Sequence, residues 1–213
     1  MSVQPAASPE LLRWGPKNLP VPYAATWSAE TSGTGSGLIV RPHGIGYRDE
    51  TPADRDTNGV LWSRTRQSPG VGRPDYRSMH PRRQHRTMLH KLCQVCGGPA
   101  DRTSRGWLFL LPRPEGTESR VIEGVRTTKP PICRPCAALA LRHCPHLTAP
   151  VFVRSRKPRV WGVYGDMVTP TGEFAPEDSG HYLPYGHPLA PWFLASQSVV
   201  ELNRSTQVAL DQD

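Results

Sequence analysis

The chain has 213 residues, enough to bury a hydrophobic core in one domain with extensions or in two small domains. Its 19 Gly and 24 Pro residues predict many turns and few long helices. No apolar run approaches the roughly 20 residues of a membrane-spanning helix, and the N-terminus lacks the basic start and apolar core of a secretory signal. We therefore expect no membrane association. Four of the five cysteines fall in metal-type pairs, which fits a reducing, cytoplasmic location better than a disulfide scaffold.

The net charge is +8, and the basic residues comprise 22 Arg but only 4 Lys. Arginine presents a planar fork that binds phosphates and bases in a bidentate manner, which favours nucleic-acid recognition. GC-rich codon usage also enriches Arg together with Pro, Ala and Gly. Codon bias does not determine where charges cluster, so the position of the basic residues is the more informative observation.

Residues 1–36 are rich in Pro, Ser, Gly and Ala, which predicts an irregular arm. The glycines of residues 33–37 lack the Gly-Lys-Ser/Thr of a phosphate loop and predict a turn. A hairpin over residues 38–47 and a short strand over residues 60–62 follow. Four acidic residues lie near these strands: Asp49, Glu50, Asp54 and Asp56. Such a group indicates either a Mg²⁺ site or, more commonly, carboxylates in solvent-exposed turns. Residues 37–92 thus form a small β region followed by a basic loop and helix.

Residues 64–91 carry eight basic side chains and one acidic residue, Asp75, a net charge of +7. Residues 64–79 read as an extended loop, and residues 82–92 as a helix with Met88, Leu89 and Leu92 turned inward. Such a surface either contacts phosphates or is a solvated face without a partner. The residues predicted to contact nucleic-acid phosphates in this segment are Arg64, Arg66, Arg73, Arg77, Arg82, Arg83, Arg86 and Lys91.

Two Cys-x-x-Cys pairs organise residues 93–146. The first is Cys93 and Cys96, followed by two glycines, and the second is Cys133 and Cys136, at the start of a predicted helix. Each pair places two thiolates on one side of a tight turn, so together they supply the four ligands of a tetrahedral structural Zn²⁺ site. Between the pairs, residues 107–111 predict a buried strand, residues 113–120 a polar turn, and residues 121–127 a returning strand.

A knuckle, a hairpin and then a helix carrying the second cysteine pair resemble a treble-clef zinc finger, over about residues 90–146. This resemblance implies a local fold and little about activity, because treble clefs serve many functions.

Signatures of zinc enzymes are incomplete in this stretch. Residues 97–132 contain no His or Asn, which argues against an HNH nuclease, and no His-x-Glu accompanies the cysteines as in zinc deaminases. The pairs also differ from redox dithiols, because two copies around a hairpin fit zinc better than a thioredoxin-like βαβ unit. Enzymatic activity is therefore the weakest of the functional hypotheses.

A second metal site is an alternative for residues near the end of the module. It would combine His143, Cys144, His146 and a borrowed His90, or one of the histidines would replace a cysteine ligand. The simpler interpretation is a buried helix-end cysteine with polar neighbours.

In residues 147–213 we expect a β-hairpin, a loop-rich region and an amphipathic helix over residues 191–203. The hairpin connection carries a second basic group with Arg154, Arg156, Lys157 and Arg159. The last residues, 207–213, are expected to fray.

The sequence therefore predicts an α+β protein of short antiparallel strands and few short helices around a treble-clef-like structural zinc site, packed as one domain. Its first functional hypothesis is a nucleic-acid-binding protein that contacts DNA or RNA through Arg-rich surfaces. The second is a zinc-scaffolded protein-interaction or assembly component. The sequence does not predict an oligomeric state.

Overall fold

The computed structural model describes residues 11–31, 37–112, 122–144, 147 and 149–210, without the side chains of 176–179. These residues form two α-helices, α1 (Pro81–Leu89) and α2 (Arg134–His143). The strands, in chain order, are β1 (Arg13–Trp14), β2 (Leu19–Pro20), β3 (Ala25–Trp27), β4 (Leu38–Arg41), β5 (Gly44–Tyr47), β6 (Leu61–Trp62), β7 (Pro74–Met79), β8 (Arg102–Thr103), β9 (Gly106–Leu111), β10 (Val125–Thr127), β11 (Val151–Val168), β12 (Phe174–Pro184) and β13 (Phe193–Val208).

Several expectations concern residues outside the described ranges. They are the start of the arm (1–10), most of the glycine-rich turn (32–36), the polar turn (113–120), His146 and the extreme C-terminus (211–213). Neither described α-helix has the length and apolar character that crossing a membrane requires.

One seven-stranded sheet dominates the molecule, with the order β10-β13-β11-β9-β8. In addition, β12 pairs with β11, and β6 pairs in parallel with β13. β11, β12 and β13 are 18, 11 and 16 residues long, so the α+β expectation of only short strands is wrong. The N-terminal part adds the two-stranded pairs β1-β2, β3-β7 and β4-β5, the last of which confirms the predicted hairpin.

The helix predicted over residues 191–203 is instead strand β13. The apolar residues fall at helical spacing, but β13 lies between β10 and β11, and its residues 193–195 and 198–200 are all buried. A strand buried on both faces reads as a continuous apolar run, without the alternation that separates a strand from a helix.

The two strands predicted around a basic loop are one continuous strand, β11. Its register against β13 shifts between Val160 and Gly162, which marks a β-bulge. Pairing with β9 ends at Ser155 and pairing with β12 begins at Gly162. Between these two stretches the described residues give β11 a neighbouring strand on one side only, β13, and a position with one free side tolerates Pro158.

Helix α1 packs on one face of the sheet, hereafter the inner face. Met88 is fully buried against Phe109, Val200 and Leu202. The Gln84 amide donates to the carbonyl oxygens of Thr128 (2.7 Å) and Ser198 (2.9 Å) and accepts from the Ser198 N–H (2.8 Å). These bonds fix the helix to β13.

The four-cysteine module, which comprises the two cysteine pairs, strands β8 and β9 and helix α2, packs on the opposite, outer face. In β9, Phe109 and Leu111 face α1, whereas Leu108 and Leu110 contact the cysteines and α2. This two-sided burial explains the apolar run at residues 107–111. The predicted return strand is β10, but it pairs with β13, so the hairpin beside the first cysteine pair is β8-β9.

Candidate metal centre and basic surfaces

The four paired cysteines converge on one point. The Sγ atoms of Cys93, Cys96, Cys133 and Cys136 all lie within 4.8 Å of one another, and those of Cys96 and Cys133 are 3.9 Å apart. A tetrahedral site with Zn–S bonds of 2.3 Å has sulfur–sulfur edges of about 3.8 Å. Three of the four cysteines are buried and Cys133 is half-buried. The structure thus places four thiols at the separation that a metal ion requires.

The first pair lies in a tight turn closed by backbone hydrogen bonds. The Cys93 N–H donates to the Gly98 carbonyl (2.7 Å), and the Gly97 N–H donates to the Cys93 carbonyl (2.8 Å). Gly97 has φ +72°, a conformation that other residues adopt with strain. The Val95 N–H lies 3.4 Å from the Cys93 Sγ atom, an orientation suited to stabilising a thiolate.

The second pair lies at the beginning of α2. Cys133 is the N-cap residue and Cys136 lies in the first turn, where the helix dipole favours negative charge. Pro135 occupies the same turn, where its missing N–H costs no hydrogen bond. The helix therefore both positions and stabilises two thiolates.

The four thiols strongly perturb one another. Hydrogen bonding with Cys133 raises the pKa of Cys93 and that of Cys136, and burial raises both further. Hydrogen bonds from Cys136 and Cys93 lower the pKa of Cys133, and a hydrogen bond from Cys93 lowers that of Cys96. A bound divalent cation would displace the retained protons and neutralise the thiolates.

The donor set fits a thiophilic metal. Four sulfur atoms in a compact, mostly buried group suit Zn²⁺ or an iron centre and disfavour Mg²⁺ or Ca²⁺, which require oxygen ligands. Among the residues that the structure describes, no other group of three or more His, Cys, Asp or Glu side chains comes together in this way. His90 and His143 are exposed and Cys144 is half-buried at the end of α2, so the described members of the suggested second site do not form one.

The basic segment is only partly a free surface. Arg66, Arg73, Arg77, Arg82 and Arg86 are exposed. Residues 74–79 form strand β7, which pairs with β3, rather than a loop. Helix α1 ends at Leu89, and the exposure of Leu89 (43%) shows that its predicted inward orientation is wrong.

Arg83 was predicted on the outer surface of the helix, but it is buried in an ion pair. Its Nη1 and Nη2 atoms each lie 2.7 Å from a Glu30 carboxylate oxygen, and Nη2 also donates to the Ala25 carbonyl (2.7 Å). Glu30 additionally accepts from the N–H groups of Trp27 and Ser68. Burial alone would raise the pKa of Glu30, but these hydrogen bonds hold it below its ordinary value.

Arg64 and Lys91 are also engaged within the protein. Arg64 binds Asp54 through two 2.7 Å hydrogen bonds, contacts Asp49 at 2.7 Å and lies over the Tyr47 ring. These contacts hold the pKa of Asp54 well below its usual range. The Lys91 ammonium donates to the Met88 carbonyl (2.8 Å). The acidic turns therefore serve ion pairs, and neither basic residue is free for phosphate.

The second basic group divides in the same way. Arg154 is fully buried, with hydrogen bonds to the Asp101 carboxylate and to the Gly106 carbonyl (3.1 Å), so its predicted phosphate contact is wrong. Arg156, Lys157 and Arg159 are exposed on β11.

A shallow cleft of about 100 Å³ adjoins α1 and is lined by Asp54, Asp56, Trp62, Arg82 and His85 among others. The His85 Nδ1 atom lies 2.6 Å from the Ser198 hydroxyl, a pair that the sequence analysis did not identify. Ser198 is fully buried, so its hydroxyl joins α1 to β13 and does not face a substrate. Burial lowers the pKa of His85, which keeps the imidazole neutral near pH 7.

No protein-family model matches this chain, and comparison with curated proteins and with solved structures likewise finds no significant similarity.

Proposed function

We propose that the protein is a zinc-stabilised nucleic-acid-binding protein. The observation that carries the proposal is the exposed arginine group Arg66, Arg73, Arg77, Arg82 and Arg86, for none of which the described residues supply an ion-pair partner. Guanidinium groups on an extended segment and an adjoining helix are suited to contact successive phosphates.

Zinc is the metal that this proposal assigns to the four cysteines, and the module is assigned to the treble-clef type. Its support is the order of a cysteine turn, the β8-β9 hairpin and a helix whose first turn carries the second pair. The metal has a structural role here, since all four positions around it are filled by protein sulfur.

The binding experiment uses zinc-loaded protein with duplex DNA, single-stranded DNA and RNA across a salt series. Log affinity should fall linearly with log salt, and Arg82→Ala/Arg86→Ala should reduce the slope by about 1.8, at roughly 0.9 per phosphate contact. The matched control is Arg48→Ala/Arg142→Ala, which removes the same charge from exposed positions outside the segment. Absence of binding near physiological salt, or equal slopes in both double variants, would contradict the proposal.

A protein-interaction role is the second candidate. Val71 and Tyr76 lie in the same basic segment as the exposed arginines, and their side chains are 56% and 45% exposed. A surface that binds only phosphates does not require exposed apolar side chains, whereas a protein interface does. A specific protein partner whose binding is weakened by Val71→Ser/Tyr76→Ser, together with no nucleic-acid binding, would favour this second role.

A further inference from the structure

Several side chains on the outer face of the sheet, opposite α1, are exposed to solvent. Arg126, Glu201 and Arg159 lie opposite one another on β10, β13 and β11, so their side chains share one face. Val200 and Leu202, which flank Glu201 along β13, point to the inner face and are fully buried against α1. The Arg126–Glu201–Arg159 row therefore belongs to the outer face.

Aromatic side chains continue this outer face. The ring of Trp161 lies under the Arg126 guanidinium, 4.0 Å from its centre. Beyond the β-bulge, Tyr164 lies opposite Gln197 on β13 and opposite Tyr182 on β12. Gln197 is four residues from Glu201 along β13, so the two share one face. The Tyr164 and Tyr182 rings are 5.4 Å apart, and Tyr182 is 47% exposed.

Cations accompany these rings. Lys157 and Arg159 are exposed and form no ion pair within the described part of the chain, and Arg126 is 49% exposed with only a 3.4 Å contact to Glu201. Lys157 lies about 13 Å along β11 from Trp161, at 3.3 Å per residue. The interruption in strand pairing between Ser155 and Gly162 leaves this stretch of β11 accessible from the side as well.

We propose that this outer face binds single-stranded nucleic acid, and we call the surface formed by Arg126, Lys157, Arg159, Trp161, Tyr164 and Tyr182 the basic-aromatic platform. Bases stack on the exposed ring of Tyr182, and the phosphates are contacted by Lys157, by Arg159 and by Arg126, which the Trp161 ring supports from below. A sheet face with interleaved aromatic and basic groups selects single strands, because duplex bases are already stacked on one another and present only their edges. The platform deepens the proposed function, on which it rests, by specifying the form of nucleic acid.

The test measures the affinity of the zinc-loaded full chain for a single-stranded oligonucleotide of about 16 nucleotides and for the duplex of equal length. Tyr182→Ala should weaken single-strand binding roughly tenfold, Tyr182→Phe should restore it to within about twofold, and duplex binding should not change. Phe174→Ala is the matched control, since Phe174 is an equally exposed aromatic residue (45%) on the same strand outside the platform. Lys157→Ala/Arg159→Ala should reduce the salt slope for the single strand by about 1.4.

The outcomes separate the platform from the proposed function. Equal losses in Tyr182→Ala and Phe174→Ala, or unchanged binding in all platform variants while Arg82→Ala/Arg86→Ala still weakens duplex binding, would overturn the platform alone. If no nucleic acid binds, both proposals are wrong. If Tyr182→Ala does not fold, the Lys157→Ala/Arg159→Ala salt slope decides the question.

Discussion

Two neighbouring arginines of α1 have different roles. Arg82 is exposed, whereas Arg83 is buried and paired with Glu30. Sequence pattern alone assigned both to the solvent face because arginine is rarely buried. Glu30 lies 53 residues earlier in the chain, and only the tertiary structure brings it to Arg83. The cysteines, by contrast, were predictable because metal binding imposes a short, local spacing.

Loss of Arg83 should destabilise the protein strongly. Arg83→Ala leaves the buried Glu30 carboxylate uncompensated, so the free energy of unfolding should fall by about 3–5 kcal/mol. Arg82→Ala, one residue away on the exposed side, should change it by no more than about 0.5 kcal/mol. Urea denaturation followed by circular dichroism measures both, and similar losses in the two variants would show that Arg83 is not the buried partner.

The same ion pair predicts an acid-sensitive stability. The folded-state pKa of Glu30 lies below its ordinary value of 4.5, so its stabilising contribution is present above pH 4.5 and is lost as the pH falls through the folded-state pKa. The unfolding free energy of the native protein should therefore decline below about pH 4.5 more steeply than that of Glu30→Gln. Parallel pH profiles for the two proteins would exclude Glu30 as a contributor.

At the scale of elements, local segments were more predictable than long strands. The β4-β5 hairpin and the helix that begins at the second cysteine pair were correctly located, since turn residues and a Cys-x-x-Cys spacing define them locally. β13 was misassigned because burial on both faces removes its alternation, and β11 was divided because basic residues in mid-strand resemble a loop. Pairing over long sequence separations determined both strands.

The attachment of α1 to β13 depends on Gln84. Gln84→Ala removes three hydrogen bonds and takes this partner from the buried backbone N–H and carbonyl groups of Ser198, which should cost about 2–5 kcal/mol. Leu89→Ala, an exposed position on the same helix, should cost less than about 1 kcal/mol. Thermal denaturation distinguishes the two variants, and a larger loss for Leu89→Ala would mean that the helix packs by a different face.

For the whole molecule, one sheet carries helix α1 on its inner face and the four-cysteine module on its outer face. The module packs directly on Leu108, Leu110 and Phe152 of the sheet. Removal of the proposed zinc ion should therefore loosen the sheet as well as the cysteine turns, because no cation then offsets the repulsion among four crowded thiolates. Sequence analysis identified the module, but the surface that it adjoins depends on strand register and was not predictable.

The most direct measurement is the metal content of the purified protein and of two cysteine variants by inductively coupled plasma mass spectrometry. We expect one zinc ion per chain, its loss in Cys136→Ser with a large fall in melting temperature, and its retention in Cys144→Ser. Cys144 is the matched control because it lies at the opposite, C-terminal end of the same helix and outside the four-thiol group. Metal-free native protein with an unchanged melting temperature after chelation, or equal metal loss in both variants, would contradict a structural zinc centre.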